Sequence, residues 1–466
     1  MSDVNQVHLE KLESLPEGWA ETTVSKIVQM ISTNKKKLAQ KNYLDKGDFP
    51  VVDQGQEFIA GYSNNEALII HGEPPFIVFG DHTKAFKFAN FNFVPGADGV
   101  KIMKSLEVDP KWCFYIFQAI KLPNKGYARH FQYLKEAYLP VPPPEQQKRI
   151  VAKIEELFSH IDAGIEALKK SKQLLKQYRQ SVLKAAVTGE LTKEWRETNK
   201  DKLESASQLL ERILKERRQK WEEQQLEQFK AKGKMPKNDK WKEKYKELAP
   251  ISDAEFDGLP ELPDSWIYTR LGNVINEPKY GTSKKCAYDS NGIGVLRIPN
   301  VANGVIDSED LKFAKFDESE VEAYELREGD ILTIRSNGSI NLVGKCAMIG
   351  KNDTSYLYAG YLIMLRPNSN VADSFFLINV LNSIFLRNQI ESKAKSTSGV
   401  NNINSGELQS LIIPVCVKCE QMKISSLVDE KLEPADRLLS DIENQLLKVE
   451  KNKQSILASA FSGRIE

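Results

Sequence analysis

The chain has 466 residues, with 65 Lys and Arg against 64 Asp and Glu and a hydrophobic content of 41%. Apolar content of that order builds real cores and excludes a mostly disordered chain. A formal net charge of +1 excludes a polycation that holds nucleic acid by bulk charge, and the length suggests roughly three domains.

In chain order, the opening MSDVNQVHLEKLES has neither a basic nor an apolar signal region. No run of roughly 18 apolar residues follows, and five cysteines do not make a disulfide framework. A cytoplasmic protein with no membrane span is expected. Leu15-Pro16-Glu17-Gly18-Trp19 then introduces a variable region, about 20–139, that reads as mixed α/β. Phe76–Phe79 is a buried strand bounded by Pro and Gly, and Trp112–Ile120 is a short helix. Leu139-Pro140-Val141 and Glu145-Gln146 lead into a long helix. In it Ile154, Ile161, Leu168, Leu175 and Val182 fall every seven residues, and Gly189 marks the stop.

Residues 192–250 carry 17 basic and 12 acidic side chains among scattered apolar anchors. They read as a helix, a break at Lys232–Pro236 and a shorter helix, either a solvated linker or a docking arm for a partner protein. Leu262-Pro263-Asp264-Ser265-Trp266 then repeats the opening motif 247 residues on. It introduces a second mixed α/β region, with a strand at Ile331–Ile334 and a helix at Phe375–Ile384. Ile413-Pro414-Val415 and Glu420-Gln421 repeat the motif before the helix, with one extra residue between them. Val428, Ala435, Ile442, Val449 and Ile456 repeat the heptad stripe at an offset of 274, and Gly463 repeats the stop. The expectation is a duplicated frame holding two different inserts, its two apolar seams packed on each other antiparallel about an approximate two-fold axis. The alternative is that each stripe packs only on its own globular region. Pro434 predicts a start or kink in the second helix.

Three tempting motifs fail. Gly338 to Cys346 has five residues between its glycines and no Ser or Thr after Lys345, so it is no phosphate loop. Glu73-Pro74-Pro75-Phe76 has Glu where an amino-methyltransferase motif needs Asn, Asp or Ser, and reads as a turn. Cys416-Val417-Lys418-Cys419 lacks a second ligand pair for zinc and merely replaces Pro142-Pro143-Pro144 of the first copy. No catalytic constellation and no metal spacing is found.

The residues Leu15–Trp19, Pro142-Pro143-Pro144-Glu145-Gln146 and Tyr178 to Thr192 with Trp195-Arg196, together with the shortened copy at the C-terminus, resemble the specificity (S) subunit of type I restriction–modification systems. The Ala186-Val187 to Arg196 ending is most like the type IA branch. The resemblance implies an α+β fold. Two mixed α/β target recognition domains are separated by two long conserved helices packed as an antiparallel coiled coil, a pseudo-two-fold internal repeat. The expected limits are 1–140 for the first recognition domain, 141–191 for the central helix and 192–260 for the charged connector. The second recognition domain would span 261–414 and the C-terminal helix 415–466.

Each recognition domain would read one half of a bipartite, asymmetric target in double-stranded DNA, and the helices would set half-site spacing. Residues 162–187 alone span ~39 Å at ~1.5 Å per residue, against the ~34–36 Å between half-sites one turn apart. The chain would be a non-catalytic subunit without cofactor. Two methyltransferase (M) subunits would hold S-adenosylmethionine, and two restriction (R) subunits, joined through the M2S core, would use ATP and magnesium, in a bacterial or archaeal cytoplasm. Rival readings are a specificity subunit of a methylation-only or other restriction complex, and a coiled-coil scaffold that binds no DNA. The 16 basic and 16 acidic residues of 1–140 favour the scaffold.

Arg or Lys for guanine, Asn or Gln for adenine, and basic or hydroxyl groups for phosphate define the DNA candidates. In the first domain these are Lys35, Lys36 and Lys37, then His82, Thr83 and Lys84 after Asp81, then Arg129, His130 and Gln132 in the run from Tyr127. In the second they are Tyr280, Thr282, Ser283 and Lys284, then Arg335, Ser336 and Asn337, then Ser398, Asn401 and Asn402. Arg297 and Asn300 are added, with the alternative that Arg297 pairs internally.

Overall fold

A computed structural model describes residues 15–96, 99–123, 129–288, 291–397 and 399–464. The heptad stripes form two helices of 44 residues each, the central helix Pro144–Val187 and the C-terminal helix Lys418–Phe461. Two compact units, not three, share them. One is Met1–Ser171 with Ser440–Glu466, the other Lys172–Leu439. The connector forms no third unit because its helix, Ala206–Ala231, buries Leu209 and Ile213 completely in the core of the second. Its return leg is the shorter helix expected after the break, a 3-10 helix at Asp239–Lys244.

In the first unit, β1 (Ala20–Thr23) pairs antiparallel with β9 (Tyr138–Val141) and closes the variable region at its base. Within it, β2 (Val28–Ile31), β3 (Phe49–Val52), β4 (Gly61–Ser63), β5 (Phe76–Gly80), β6 (Phe86–Ala89), β7 (Val94–Pro95) and β8 (Val100–Ser105) make two sheets. Their orders are β2-β8-β5-β6 and β4-β3-β7, with β3 and β7 parallel. Glu73-Pro74-Pro75-Phe76 is the expected turn, with a cis Pro74–Pro75 bond, leading into β5. The helix Pro110–Ala119, capped by Asp109, places Trp112, Ile116 and Phe117 in a core with Ile77, Phe79 and Met103. Ile150 and Ile154 of the central helix join that core, as do Leu457, Ala460 and Phe461 of the C-terminal helix.

The second unit repeats this plan. Strands β10 (Ile267–Arg270) and β21 (Ile412–Val415) close its base. Strands β11 (Lys279–Tyr280), β18 (Leu362–Leu365), β14 (Ile331–Ile334) and β16 (Cys346–Met348) form the four-stranded sheet in that order. Strands β13 (Lys312–Ala314), β12 (Ile293–Leu296) and β17 (Leu357–Tyr358) form the three-stranded one, again with one parallel pair. A third small sheet, β15 (Ser336–Asn337), β20 (Val400–Asn402) and β19 (Lys395–Thr397), has no counterpart among the described residues of the first unit. The expected helix at Phe375–Ile384 is two, Ser374–Leu381 and Ile384–Lys393, because Ser383 caps the second. Val182, Leu183 and Ala186 share one core with Ile424, Val428 and Leu432.

Within each unit the helix segments run antiparallel, and one cross-helix ion pair appears in both. Lys453 Nζ lies 2.6 Å from Asp162 in the first unit, and Arg179 Nη1 lies 2.6 Å from Asp436 in the second. Asp436 stands 274 residues after Asp162, and Lys453 the same distance after Arg179, so one contact is made twice by the repeat. Both pairs are largely exposed and worth under about 1 kcal/mol each; they fix register more than stability. Ile154, Val182, Val428, Ala435 and Ile442 of the seam are buried, while Ile161, Leu168, Leu175, Val449 and Ile456 are half-buried.

The repeat carries no extra residue. Gln147 and Gln421, not Gln146 and Gln421, are the equivalent pair. Gln147 Nε2 donates to the Pro142 carbonyl (2.8 Å) and its Oε1 accepts from the Asp109 N–H (2.8 Å). Gln421 makes the same two bonds to Cys416 and Asp373, each 2.8 Å. A buried amide thus ties each helix start to the N-cap of its packing helix. The other helix end uses glycine: Gly189 and Gly463 have φ of +75° and +73°, and a Cβ on either would stand 2.8 Å from the ring of Pro263 or Pro16. Both the left-handed backbone and the proline of the Leu-Pro motif therefore demand glycine.

Pro434 corrects one expectation, since the C-terminal helix neither starts nor ends there but runs through it. Proline inside a helix removes a hydrogen bond and costs up to about 3 kcal/mol against alanine. Burial of the neighbouring Leu432 and Ala435 offsets that cost. Pro434→Ala is expected to stabilise the chain by about 1–3 kcal/mol, read as a higher midpoint of thermal unfolding.

Candidate nucleic-acid interface

The richest cluster of sequence candidates lies where β14 ends. Arg335 follows that strand, its N–H donating to the Tyr361 carbonyl (3.0 Å) and its carbonyl accepting from the Ile403 N–H (2.8 Å). Its guanidinium lies over the Tyr280 ring, 4.8 Å from the centroid, and Nε donates to Asn402 Oδ1 (3.3 Å). Among the described residues its two terminal nitrogens have no partner, so a pre-aimed donor fork remains. Beside it Ser336 pairs in register with Asn402 and Asn337 with Asn401. The Asn337 and Asn401 side chains hold the loop through the Ser339 N–H (2.8 Å) and the Gly338 carbonyl (3.0 Å). Tyr280, Arg335, Ser336, Asn337, Asn401 and Asn402 are thus gathered from three chain segments onto one surface. Ser398 lies outside the described residues.

The first domain builds the same place from other residues. The Asp81 N–H donates to the Gly99 carbonyl (2.7 Å), and the Asp81 carbonyl accepts from the His130 N–H (2.9 Å). Asp81 therefore holds the position of Arg335, and Arg129-His130 that of Asn402-Ile403. The chemistry differs. Asp81 is buried, its carboxylate accepting from the Phe131 N–H (2.7 Å) with Lys101 at 3.8 Å. His82, Thr83 and Lys84 follow on the turn, with Lys84 at φ +62°. Gln54, on the loop after β3, was missed by the sequence reading. Its Oε1 accepts from the His82 N–H (3.4 Å) and its carbonyl accepts from the Thr83 hydroxyl. Lys101 and the 64% exposed Tyr361 were missed as well. Only the strand register, not any local motif, brings them to these loops.

Burial corrects three candidates. His130 is wholly buried, with Nδ1 on the Asp81 carbonyl (3.0 Å). Asn300 is buried and spends its amide on the carbonyls of Asp307 (2.7 Å) and Asp310 (3.1 Å). Thr282 is buried, and its hydroxyl accepts from the Lys284 N–H (3.1 Å). Each is a loop-holding residue. The neighbouring Gly281 is required because a Cβ there would fall 2.3 Å from the Tyr358 carbonyl.

Others are engaged but not buried. Arg297 pairs with Asp310 (2.9 Å), Lys284 with Glu320 (2.6 Å), and Lys36 Nζ donates to the Ile69 carbonyl (2.6 Å). Lys35, Lys37, Arg129, Gln132 and Ser283 are exposed. The Lys35–Lys37 turn lies beside the end of β7, where the Leu38 N–H donates to the Pro95 carbonyl (3.0 Å).

The C-x-x-C pair carries no reactive dithiol. Cys419 is exposed, but Cys416 is buried and burial pushes its thiol well above the usual range. Its carbonyl does the work of Pro142 in the first copy. Among the described residues no group of three His, Cys, Asp or Glu is placed to hold a metal, and no helix is long and apolar enough to cross a membrane.

Two domains of one plan, each with a polar loop cluster at the same place and each built onto the same two helices, define a tandem recognition module. The family model described as the type I restriction modification DNA specificity domain matches residues 16–176 and 263–450, and the chain belongs to this family. It is 25% identical over 484 residues to the StySPI specificity subunit of Salmonella potsdam, covering 97% of this chain and 90% of that one. It is 26% identical to the EcoKI specificity subunit of Escherichia coli K12 over 70% of this chain, and 30% identical to the EcoAI subunit of Escherichia coli over 68%. Those two matches span about half of the relatives' length, 57% and 47%. A chain solved in a study of complex assembly and conformational transition of the type I R-M system superposes with a TM-score of 0.61 at 16% identity. That match covers 97% of this chain and 99% of that one, and the fold is shared.

Proposed function

We propose that this chain is the DNA-reading subunit of a type I restriction–modification complex, each domain recognising one half of a bipartite, asymmetric target. The observation that carries this is the equivalence of the two loop clusters. One backbone position, held by the same pair of hydrogen bonds, is Asp81 in one domain and Arg335 in the other. A shared scaffold with unlike chemistry suits two different half-sites. The remaining candidates, Lys35, Lys37, His82, Thr83, Lys84, Arg129, Gln132, Ser283, Ser336, Asn337, Asn401 and Asn402, are assigned to base or phosphate contact on the same grounds.

The chemistry of modification and cleavage belongs in this reading to methyltransferase subunits that hold S-adenosylmethionine and restriction subunits that use ATP and magnesium, in the cytoplasm. The type IA assignment rests on Ala186 to Arg196 alone. Methylome sequencing of cells expressing the complex tests the reading, with a single two-part motif as the expected result. Unmethylated genomes, or a continuous motif, overturn it. Inserting one heptad in the middle of both long helices adds ~10 Å of helix. It is expected to lengthen the spacer by about three base pairs, and an unchanged spacer removes the helices' role as a ruler.

A further inference from the structure

The connector carries a concentration of charge that the recognition loops do not explain. Residues 230–246 contain eight lysines against Asp239 and Glu243, a formal +6 in a chain whose total is +1. Lys242 is the one paired, with Asp239 (3.4 Å) and Glu222 (3.7 Å). Lys230, Lys232, Lys234, Lys237, Lys240, Lys244 and Lys246 are all exposed, and among the described residues none has an acidic partner.

A lysine run in a linker ordinarily repels itself and extends. Here it is folded back. The connector helix ends in a Schellman turn, in which the Lys234 N–H reaches the Phe229 carbonyl (2.9 Å) and the Gly233 N–H the Lys230 carbonyl (2.9 Å). Gly233 supplies the positive φ, +64°. Asn238 then caps the returning 3-10 helix through the Lys240 N–H (3.2 Å). Trp221 stacks on Trp241 with centroids 5.9 Å apart, Phe229 meets Trp241 edge-on at 6.0 Å, and Tyr245 closes on Trp221 at 5.4 Å.

The aromatic groups pack on one another, and seven ammonium groups without an acidic partner among the described residues share the outside of this hairpin with Met235, Asp239 and Glu243. Its base is pinned to the second recognition domain. Arg217 donates to the Gly272 carbonyl (3.0 Å), the Tyr245 hydroxyl (2.7 Å) and the Lys246 carbonyl (3.1 Å).

We propose that this lysine hairpin is a sequence-independent contact for the phosphate backbone of duplex DNA, a second contact beside the recognition loops. It rests on the reading of the chain as a DNA-recognition subunit. Lysine is a point charge without the planar fork that reads bases, and a duplex offers one negative charge per ~1.7 Å, so unpaired ammonium groups at close spacing suit phosphate. The attachment of the hairpin to a recognition domain explains why such a contact is carried here. It supplies the electrostatic affinity that the recognition domains lack, with 16 basic and 16 acidic residues over 1–140 and 15 basic against 18 acidic over 261–414.

The test replaces Lys232, Lys234, Lys237 and Lys240 by Gln in the full chain, alone and assembled with methyltransferase subunits. Binding to target and scrambled duplexes is measured across a salt series. The expected result is an affinity about 10- to 100-fold lower on both duplexes at low salt, with the log–log salt slope flatter by about 2–4 and target preference unchanged. The four-fold Lys→Arg variant should bind like the wild type. Unchanged affinity and slope overturn the proposal. So does a variant that keeps its salt slope but loses its protein partners, which would make the hairpin a docking site for an acidic protein surface. A wild-type complex with no target preference sinks the recognition reading instead, and the slope on scrambled duplex still decides the hairpin.

Discussion

Arg196→Ala is expected to destabilise the fold by about 3–5 kcal/mol, read as a lower midpoint of urea unfolding. Glu420 is fully buried, and its Oε1 accepts from Arg196 Nη1 (2.7 Å) and Thr192 Oγ1 (2.7 Å). Arg196 also donates to the Gly189 carbonyl (2.7 Å) and lies over the Trp266 ring, 6.0 Å from its centroid. One guanidinium therefore ties the end of the central helix, the start of the C-terminal helix and the second Leu-Pro-x-x-Trp motif. Removing it leaves a carboxylate in the core with a single hydroxyl for company, and an unpaired buried charge is among the costliest defects a core can hold.

The first copy shows what relieves it. There the residue equivalent to Glu420 is Gln146, whose Oε1 accepts from Trp19 Nε1 (3.0 Å). In the second copy Trp266 Nε1 and Glu420 Oε2 are both buried without partners. The double variant Arg196→Ala with Glu420→Gln is accordingly expected to recover most of the loss. No recovery would mean that the guanidinium acts through packing and not through charge.

Arg335→Ala is expected to cost about 1–3 kcal/mol of binding to the cognate DNA and to relax one position of one half-site, leaving the other half-site unchanged. Competitive binding to targets altered base by base is the measurement. The magnitude follows from a donor fork held in place by Tyr280 and Asn402 before DNA arrives, so little rotamer entropy remains to be lost. Arg335→Lys should fare little better than Ala, since it keeps the charge but loses both the fork and the ring contact. Equal loss on every sequence would reassign Arg335 to phosphate.

Much of the frame was legible in the residues. Heptads at Ile154 to Val182 and Val428 to Ile456 mark both long helices, the glycines mark their ends, and the 274-residue offset carries the repeat. Two details read wrongly from local motifs. A chance Glu-Gln match obscures the register at Gln147 and Gln421, although the 274-residue offset on both sides of it leaves no room for an extra residue, and the matching hydrogen bonds of the two amides agree. Pro434 reads as a breaker locally, but a helix packed along one face tolerates it.

The site was less legible. Arg335-Ser336-Asn337 and Asn401-Asn402 stood out by side-chain chemistry. His130, Thr282 and Asn300 carry equally suitable groups yet are turned inward to hold the loops. Gln54, Lys101 and Tyr361 have no local signature.

By itself the sequence determined the periodic and repeated parts: two long helices, their caps, a duplicated frame and the family to which it belongs. Those follow from local rules, because apolar spacing, glycine at positive φ and proline placement act within a few residues. Only the tertiary structure decided that the connector is part of the second unit, that Arg196 neutralises a buried Glu420, and that Asp81 and Arg335 hold one position in two domains. Each of these depends on partners brought together by strand register and core burial across tens to hundreds of residues, and no local pattern records which polar groups such long-range contacts bury and which they leave free.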